Sequence, residues 1–352
     1  MEENKNNIFT RRSFLKGLTL AVAGTALGYS SPLTAATKSP RTLSSGGFPD
    51  LKFNANGKFR VLQFTDTHVV SDNTTAKRAL DNIREMLDKE RPDLIIHTGD
   101  IIFSSPARDN LKKVAEVLES FEIPWAVALG NHDEEFGLSR NDVYDYLLTF
   151  DHNINTPRIE GIDGASNGLI TLSGHEDGKK KWILYLFDTG NRYNGGWGSM
   201  QPSQINWYVK ESTRLRKENG GSPLPAMSFN HIPFCEYQTA FDSQNYKFKG
   251  NFHEAICCPN KNLGIYEQIR NMGDIRTMVC GHDHDNDFIT QWDNHYFIYG
   301  RFSGCNSVYN NLKPNGCRMF ELTENSESYR TYIRVFGDHI VQDVLVPDDF
   351  LD

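Results

Sequence analysis

Phe59-Arg60-Val61-Leu62-Gln63-Phe64 is a short apolar strand that runs through Thr65 into Asp66-Thr67-His68, a carboxylate and an imidazole two residues apart. The arrangement recurs downstream. Residues 74–90 carry Leu80, Ile83 and Leu87 at helical spacing, and Pro92 closes that helix. Leu94-Ile95-Ile96 is the next buried strand, and it delivers Gly99-Asp100. Leu111, Val114, Val117, Leu118 and Phe121 mark a second helix face, after which residues 125–129 lead into Gly130-Asn131-His132-Asp133. Two strand–helix–strand units in succession predict parallel strands with right-handed crossovers.

Farther along, residues 169–172 and 182–187 read as strands around a polar turn near Gly178, and residues 203–217 as a helix with a serine cap. A strand over 226–229 ends at Asn230-His231, and one over 277–280 ends at Gly281-His282-Asp283-His284. Short strands near 296–299, 318–322 and 332–336 predict a second, mostly antiparallel sheet. The expected fold class is α/β, two packed mixed sheets flanked by helices, with the polar segments gathered where strands give way to loops.

The N-terminus is set apart from this pattern. Thr10-Arg11-Arg12-Ser13-Phe14-Leu15-Lys16, an apolar run from Leu18 to Tyr29 and small residues at 34–36 describe a twin-arginine export signal over residues 1–36. A periplasmic or otherwise exported protein is expected, or one tethered to the membrane if that segment stays uncut. Residues 37–52 read as a linker, 53–340 as one large catalytic domain, and 341–352 as a C-terminal tail. The 352 residues contain 37 basic and 45 acidic side chains; setting residues 1–36 aside leaves a net charge of −10. Such a surface repels polyanions, so nucleic acid is not an expected partner, and a small phosphate ester or a phosphoprotein is. Six cysteines between 235 and 317 permit disulfides in an exported protein but match no zinc-knuckle spacing.

The five polar segments together offer Asp66, His68, Asp100, Asn131, His231, His282 and His284 as ligands. Two cations about 3.5–4 Å apart need such a set, with one carboxylate shared, and Asp100 after a glycine is the natural bridge. Mixed oxygen and nitrogen donors suit Mn, Fe or Zn better than Ca or Mg. His97, mid-strand, reads as a core or supporting histidine.

The motifs D-x-H, G-D, G-N-H-D, N-H and G-H-x-H resemble those of the calcineurin-like metallophosphoesterase superfamily over residues 58–300. The longer stretches Asn230-His231-Ile232-Pro233, 281–288 and 299–304 look like a branch related to purple acid phosphatases, with plant members and a fungal phosphoprotein phosphatase. The resemblance implies one metal on Asp66, His68, Asp100 and His284, and another on Asp100, Asn131, His231 and His282. It makes His132 the general acid and groups Asp133 with it in the catalytic segment. It further implies in-line attack by a metal-bridged hydroxide, most naturally on phosphate monoesters, with phosphodiester hydrolysis or non-catalytic metal and phosphate binding as alternatives. Phe103 stands where purple enzymes carry the iron-binding tyrosine, so no purple colour is expected. Arg301 and Trp197 are candidate substrate contacts, and the aromatic stretches 191–201 and 234–259 are candidates for choosing the substrate.

Overall fold

The structure, a computed structural model, describes residues 51–243, 248–337 and 339–351; the export-signal reading and most of the linker lie outside them. From the first described strand the order is β1 (Lys58–Phe64), α1 (Asn73–Glu90), β2 (Leu94–His97), α2 (Ala107–Glu119), β3 (Trp125–Val127), α3 (Arg140–Leu147), β4 (Gly168–Ser173) and β5 (Lys180–Phe187). A small hairpin, β6 (Arg192–Tyr193) and β7 (Gly196–Trp197), precedes α4 (Pro202–Glu218), β8 (Ala226–Asn230), α5 (Glu236–Asp242) and α6 (Ile265–Met272). The chain closes with β9 (Ile275–Cys280), β10 (Ile289–Trp292), β11 (His295–Tyr299), β12 (Gly316–Thr323), β13 (Tyr329–Val335) and β14 (His339–Val346).

Two six-stranded mixed sheets result, ordered β14-β13-β12-β1-β2-β3 and β10-β11-β9-β8-β5-β4. β1, β2 and β3 are parallel, as are β5, β8, β9 and β11, so each sheet has a parallel part whose strands end on the same side. Period-2 alternation builds the layers. Val61, Leu94 and Ile96 from one sheet meet Leu184, Leu186 and Phe229 from the other. Their neighbours Leu62, Phe64 and Ile95 face α1, α2 and α3, while Ile183, Tyr185 and Phe187 face α4, α5 and α6. Helix, sheet, sheet, helix is the four-layer sandwich the patterning predicts. Among the described residues no helix is long and apolar enough to cross a membrane.

Local details differ from the sequence reading in four places. α4 takes no serine cap: Gln201 and Gln204 cap it, and the Ser203 hydroxyl donates to Asp163. The later strands do not form a sheet of their own; β11 runs parallel beside β9, while β12 pairs antiparallel with β1 and extends the first sheet. The expected tail from 341 is structural. β14 pairs with β13, and Val344, Val346 and Phe350 are buried between the sheets. At the other end Leu51 and Lys52, assigned to the linker, already join the fold: Leu51 O accepts from Ser173 N, and Lys52 stands opposite Ser173 in a parallel bridge.

Candidate metal centre

Each predicted ligand follows a parallel strand: Asp66 and His68 after β1, Asp100 after β2, Asn131 after β3, His231 after β8, His282 and His284 after β9. Two glycines permit the convergence. A Cβ on Gly130 would overlap the Asp100 carboxylate, and one on Gly281 would overlap the Thr65 hydroxyl.

The ligand atoms fall into two overlapping groups, Asp66, His68, Asp100 and His284, and Asp100, His231 and His282, all buried. In the first, His68 Nε2 lies 3.6 Å from Asp100 Oδ2 and 3.7 Å from Asp66 Oδ1, and His284 Nε2 lies 3.6 Å from Asp66 Oδ1. In the second, His231 Nε2 lies 3.2 Å from Asp100 Oδ2 and 3.1 Å from Asn131 Oδ1, and His282 Nδ1 is 3.3 Å from His231 Nε2. Asp100 Oδ2 therefore belongs to both.

This donor set fits a pair of cations. His231 Nδ1 faces the Thr98 carbonyl at 2.7 Å and His284 Nδ1 faces that of Tyr309 at 2.9 Å. A carbonyl only accepts, so each Nδ1 carries a proton, and Nε2 is the nitrogen turned into the cluster, where it offers a lone pair once a cation displaces its proton. These carbonyls orient the rings, while Asp283 accepts from Tyr299 and Cys257, and Asp285 from Asn311 and Leu312. His68 Nε2 and His284 Nε2 stand 3.0 Å apart, and among the described residues Asp66 Oδ1 has no hydrogen-bond donor. Burial opposes charge on Asp66, yet His284 and His68 hold its carboxyl well below the usual range; Asp100 is likewise held low, chiefly by His231. Burial also opposes charge on His231, and the Asp100 carboxylate overrides it, lifting the pKa to about 9. A field that retains a proton so strongly is one a divalent cation satisfies by displacing it.

The supporting residues are distinct from the ligands. Buried His97 binds the Thr67 hydroxyl and accepts from Gly99, the supporting place expected of it. Asp133, grouped with the catalytic segment on sequence, is a buried brace: its oxygens accept from the backbone N–H of Asp100, Ile101 and Gly130. Nothing of it is left for a substrate. Arg301 is corrected in the same way, since it is buried against Asp287 and the Pro314 carbonyl rather than open to a phosphate. Trp197 does reach the site, edge-on to His282 with ring centres 4.4 Å apart.

His132 lies partly exposed at the side of the first group, its ring 5.6 Å from that of His68 and 4.9 Å from Phe103. Its Nδ1 meets Glu135 Oε2 at 2.5 Å. Burial would lower its pKa, but Glu135 and Asp100 outweigh that and raise it. Glu135 was not singled out from sequence, although three residues' separation from His132 was a usable signal. Phe103 packs edge-on to His68 and against Phe136, making an apolar wall where a phenolate ligand would otherwise stand. Of the stretch 234–259, Phe241, Phe248 and Phe252 pack around Phe288 on the second sheet. That part is packed structure, and Tyr246 lies outside the described residues.

The profile of the calcineurin-like phosphoesterase family matches residues 59–286. The chain is 30% identical over 286 residues to a protein of Arabidopsis thaliana named probable inactive purple acid phosphatase 29, covering 71% of this chain and 73% of that one. It is 25% identical over 337 residues to phosphatase DCR2 of Saccharomyces cerevisiae, covering 83% of this chain and 56% of that one. Among solved structures, a dimetal phosphatase from Danio rerio superposes with a TM-score of 0.56 at 13% identity, over 82% of this chain and 98% of the other; that likeness is one of fold.

Proposed function

Because the chain belongs to the calcineurin-like phosphoesterase family, we propose that it is a working metal-dependent hydrolase of phosphate monoesters, carried by small molecules or proteins. The observation that carries this reading is the shared Asp100 Oδ2 between two histidine-bearing groups, with His132 beside them. Divalent cations held by Asp66, His68, Asp100, Asn131, His231, His282 and His284 would supply electrophilic charge to a phosphoryl group and acidify a water.

The remaining work falls to side chains on the page. Glu135 fixes His132 Nδ1 and favours the protonated ring. The ring's Nε2–H then serves as the proton source for the departing ester oxygen. Phe103 and Phe136 form an apolar wall at that end, and Asp133 holds the loops of Asp100 and Asn131 in mutual register.

A second reading, metal or phosphate binding without turnover, draws support from the word "inactive" in the name of the Arabidopsis relative. Against it stand the full ligand set and the His132–Glu135 pair.

The test is side-by-side turnover of nitrophenyl phosphate and bis-nitrophenyl phosphate after loading with Mn, Fe or Zn, with metal content measured on the same samples. Monoester preference with about two ions per chain is expected. Two bound ions without turnover of either ester would favour the binding reading, and diester preference would overturn the monoesterase.

A further inference from the structure

The two ends of the centre differ in a way that bears on substrate choice. His132, Phe103 and Phe136 stand beside the first ligand group, through the contact of His132 and Phe103 with His68. Trp197 stands beside the second, through its contact with His282. Trp197 is carried by the β6–β7 hairpin, whose turn residues Asn194 and Gly195 have φ of 51° and 76°, the tight turn that matches strand twist. Arg192 and Trp197 are the directly opposed cross-strand pair, and the guanidinium carbon lies 3.8 Å from the indole centre. The arm is braced: a Cβ on Gly196 would overlap Asn260, and Gly198 N donates to Asn191 O at 2.9 Å.

Arg192 is exposed, and among the described residues no carboxylate lies within ion-pair distance of it. Other arginines around the strand ends are engaged, Arg140 by Asp188, Arg301 by Asp287 and Arg318 by the carbonyls of Tyr299 and Asp287. A cation stacked on an indole at the rim of an anion-processing site, with its hydrogen-bonding edge uncommitted, has a ready role.

Resting on the monoesterase reading above, we propose that Arg192, positioned by Trp197, is a specificity-determining residue that recognises the phosphoryl oxygen a diester would have esterified. With the leaving oxygen at the His132 end, two of the three remaining oxygens turn towards the two ligand groups. The third is left to the rim beside the second group, where the Trp197 arm carries Arg192. In a monoester that oxygen carries charge and accepts from a guanidinium; in a diester it carries carbon, and the same arginine loses its charge-assisted bond.

The experiment is kcat/KM for nitrophenyl phosphate and bis-nitrophenyl phosphate in the metal-loaded wild type, Arg192→Ala and Arg192→Lys, with melting temperatures and calorimetric titration of inorganic phosphate alongside. Arg192→Ala is expected to lower the monoester-to-diester ratio about tenfold and to weaken phosphate binding by a similar factor, as loss of one charge-assisted hydrogen bond does. Arg192→Lys is expected to recover part of both at unchanged melting temperature. An unchanged ratio, or equal loss on both esters, overturns the proposal. If the loaded wild type turns over neither ester, the hydrolase reading has failed by itself. Phosphate titration then decides Arg192, weaker binding in the alanine variant supporting anion recognition and equal binding refuting it.

Discussion

Asp66, His68, Asp100 and His282 all hold positive φ, at 54°, 44°, 53° and 79°. For side chains with a Cβ this region costs about 1–2 kcal/mol per residue, and four such residues in one buried cluster mark a place where folding is subordinated to ligand geometry. The chemistry is correspondingly sensitive to single atoms. Asp100→Asn removes the shared negative oxygen, so loss of measurable turnover and of at least one bound ion is expected; normal rate with two ions would remove Asp100 from the bridging place. Gly281→Ala drives a methyl group into Thr65 and displaces Asp66, and a fall in metal occupancy by elemental analysis is the expected readout. His132→Ala should cost alkyl phosphates about 10²–10⁴-fold, the usual worth of a general acid, and nitrophenyl phosphate far less, since that leaving group needs little protonation. Equal losses on both would count against the acid role. Asp133 and Arg301 show the other side of this scale. Their residue types suit catalysis, but their hydrogen bonds are consumed by backbone and by Asp287, and partners of that kind are set by loops distant in sequence.

At the scale of elements, strands and helices are legible where periodicity is strong. α1 has an apolar face of Leu80, Ile83 and Leu87, with Asp72 accepting from Thr74 N and Thr75 N at its start. Which sheet a strand joins is less legible. β12 alternates Cys317 and Met319 on the helix side with Phe320 and Leu322 on the inner side, a pattern either sheet accepts, and only its pairing with β1 resolves the choice. β14 shows weak alternation because one face is largely exposed, and that is why residues 341–352 read as a tail. Removing residues 339–352 takes Val344, Val346 and Phe350 from between the sheets. At about 1.5–3 kcal/mol per buried side chain, this loss approaches the whole stability of an ordinary domain. The shortened protein is expected to be insoluble or to melt without cooperativity; a soluble product with an unaltered melting curve would show β14 to be dispensable.

At the scale of the molecule, the centre exists only because two sheets packed face to face bring their strand ends together. Gln63 Nε2 reaches from the first sheet to the Cys280 carbonyl of the second. Arg140 donates to the Leu129 and Gly130 carbonyls after β3 and pairs with Asp188 after β5, and Asp188 also accepts from Ala165 and Ser166. Burial alone would raise the Asp188 pKa, but Arg140 holds it down at about 2, below its ordinary 3.8. A carboxyl depressed in the folded state contributes its full stability above the ordinary value and loses it as pH falls from there through about 2. Asp188→Ala, which leaves Arg140 buried without its partner, is expected to cost about 3–5 kcal/mol in urea unfolding at pH 7 and to flatten the acid limb of stability below pH 4. An unaltered acid limb would assign that pH dependence to other groups. Strand–helix alternation, polar segments at strand ends and the seven candidate ligands are legible in the sequence alone, because periodicity and residue chemistry are local properties. That Asp133 braces, that Arg301 is buried, that Glu135 backs His132 and that Arg192 rides on Trp197 emerges only in the folded molecule. Those outcomes depend on which carbonyls, carboxylates and rings two separately wound sheets bring within hydrogen-bonding reach.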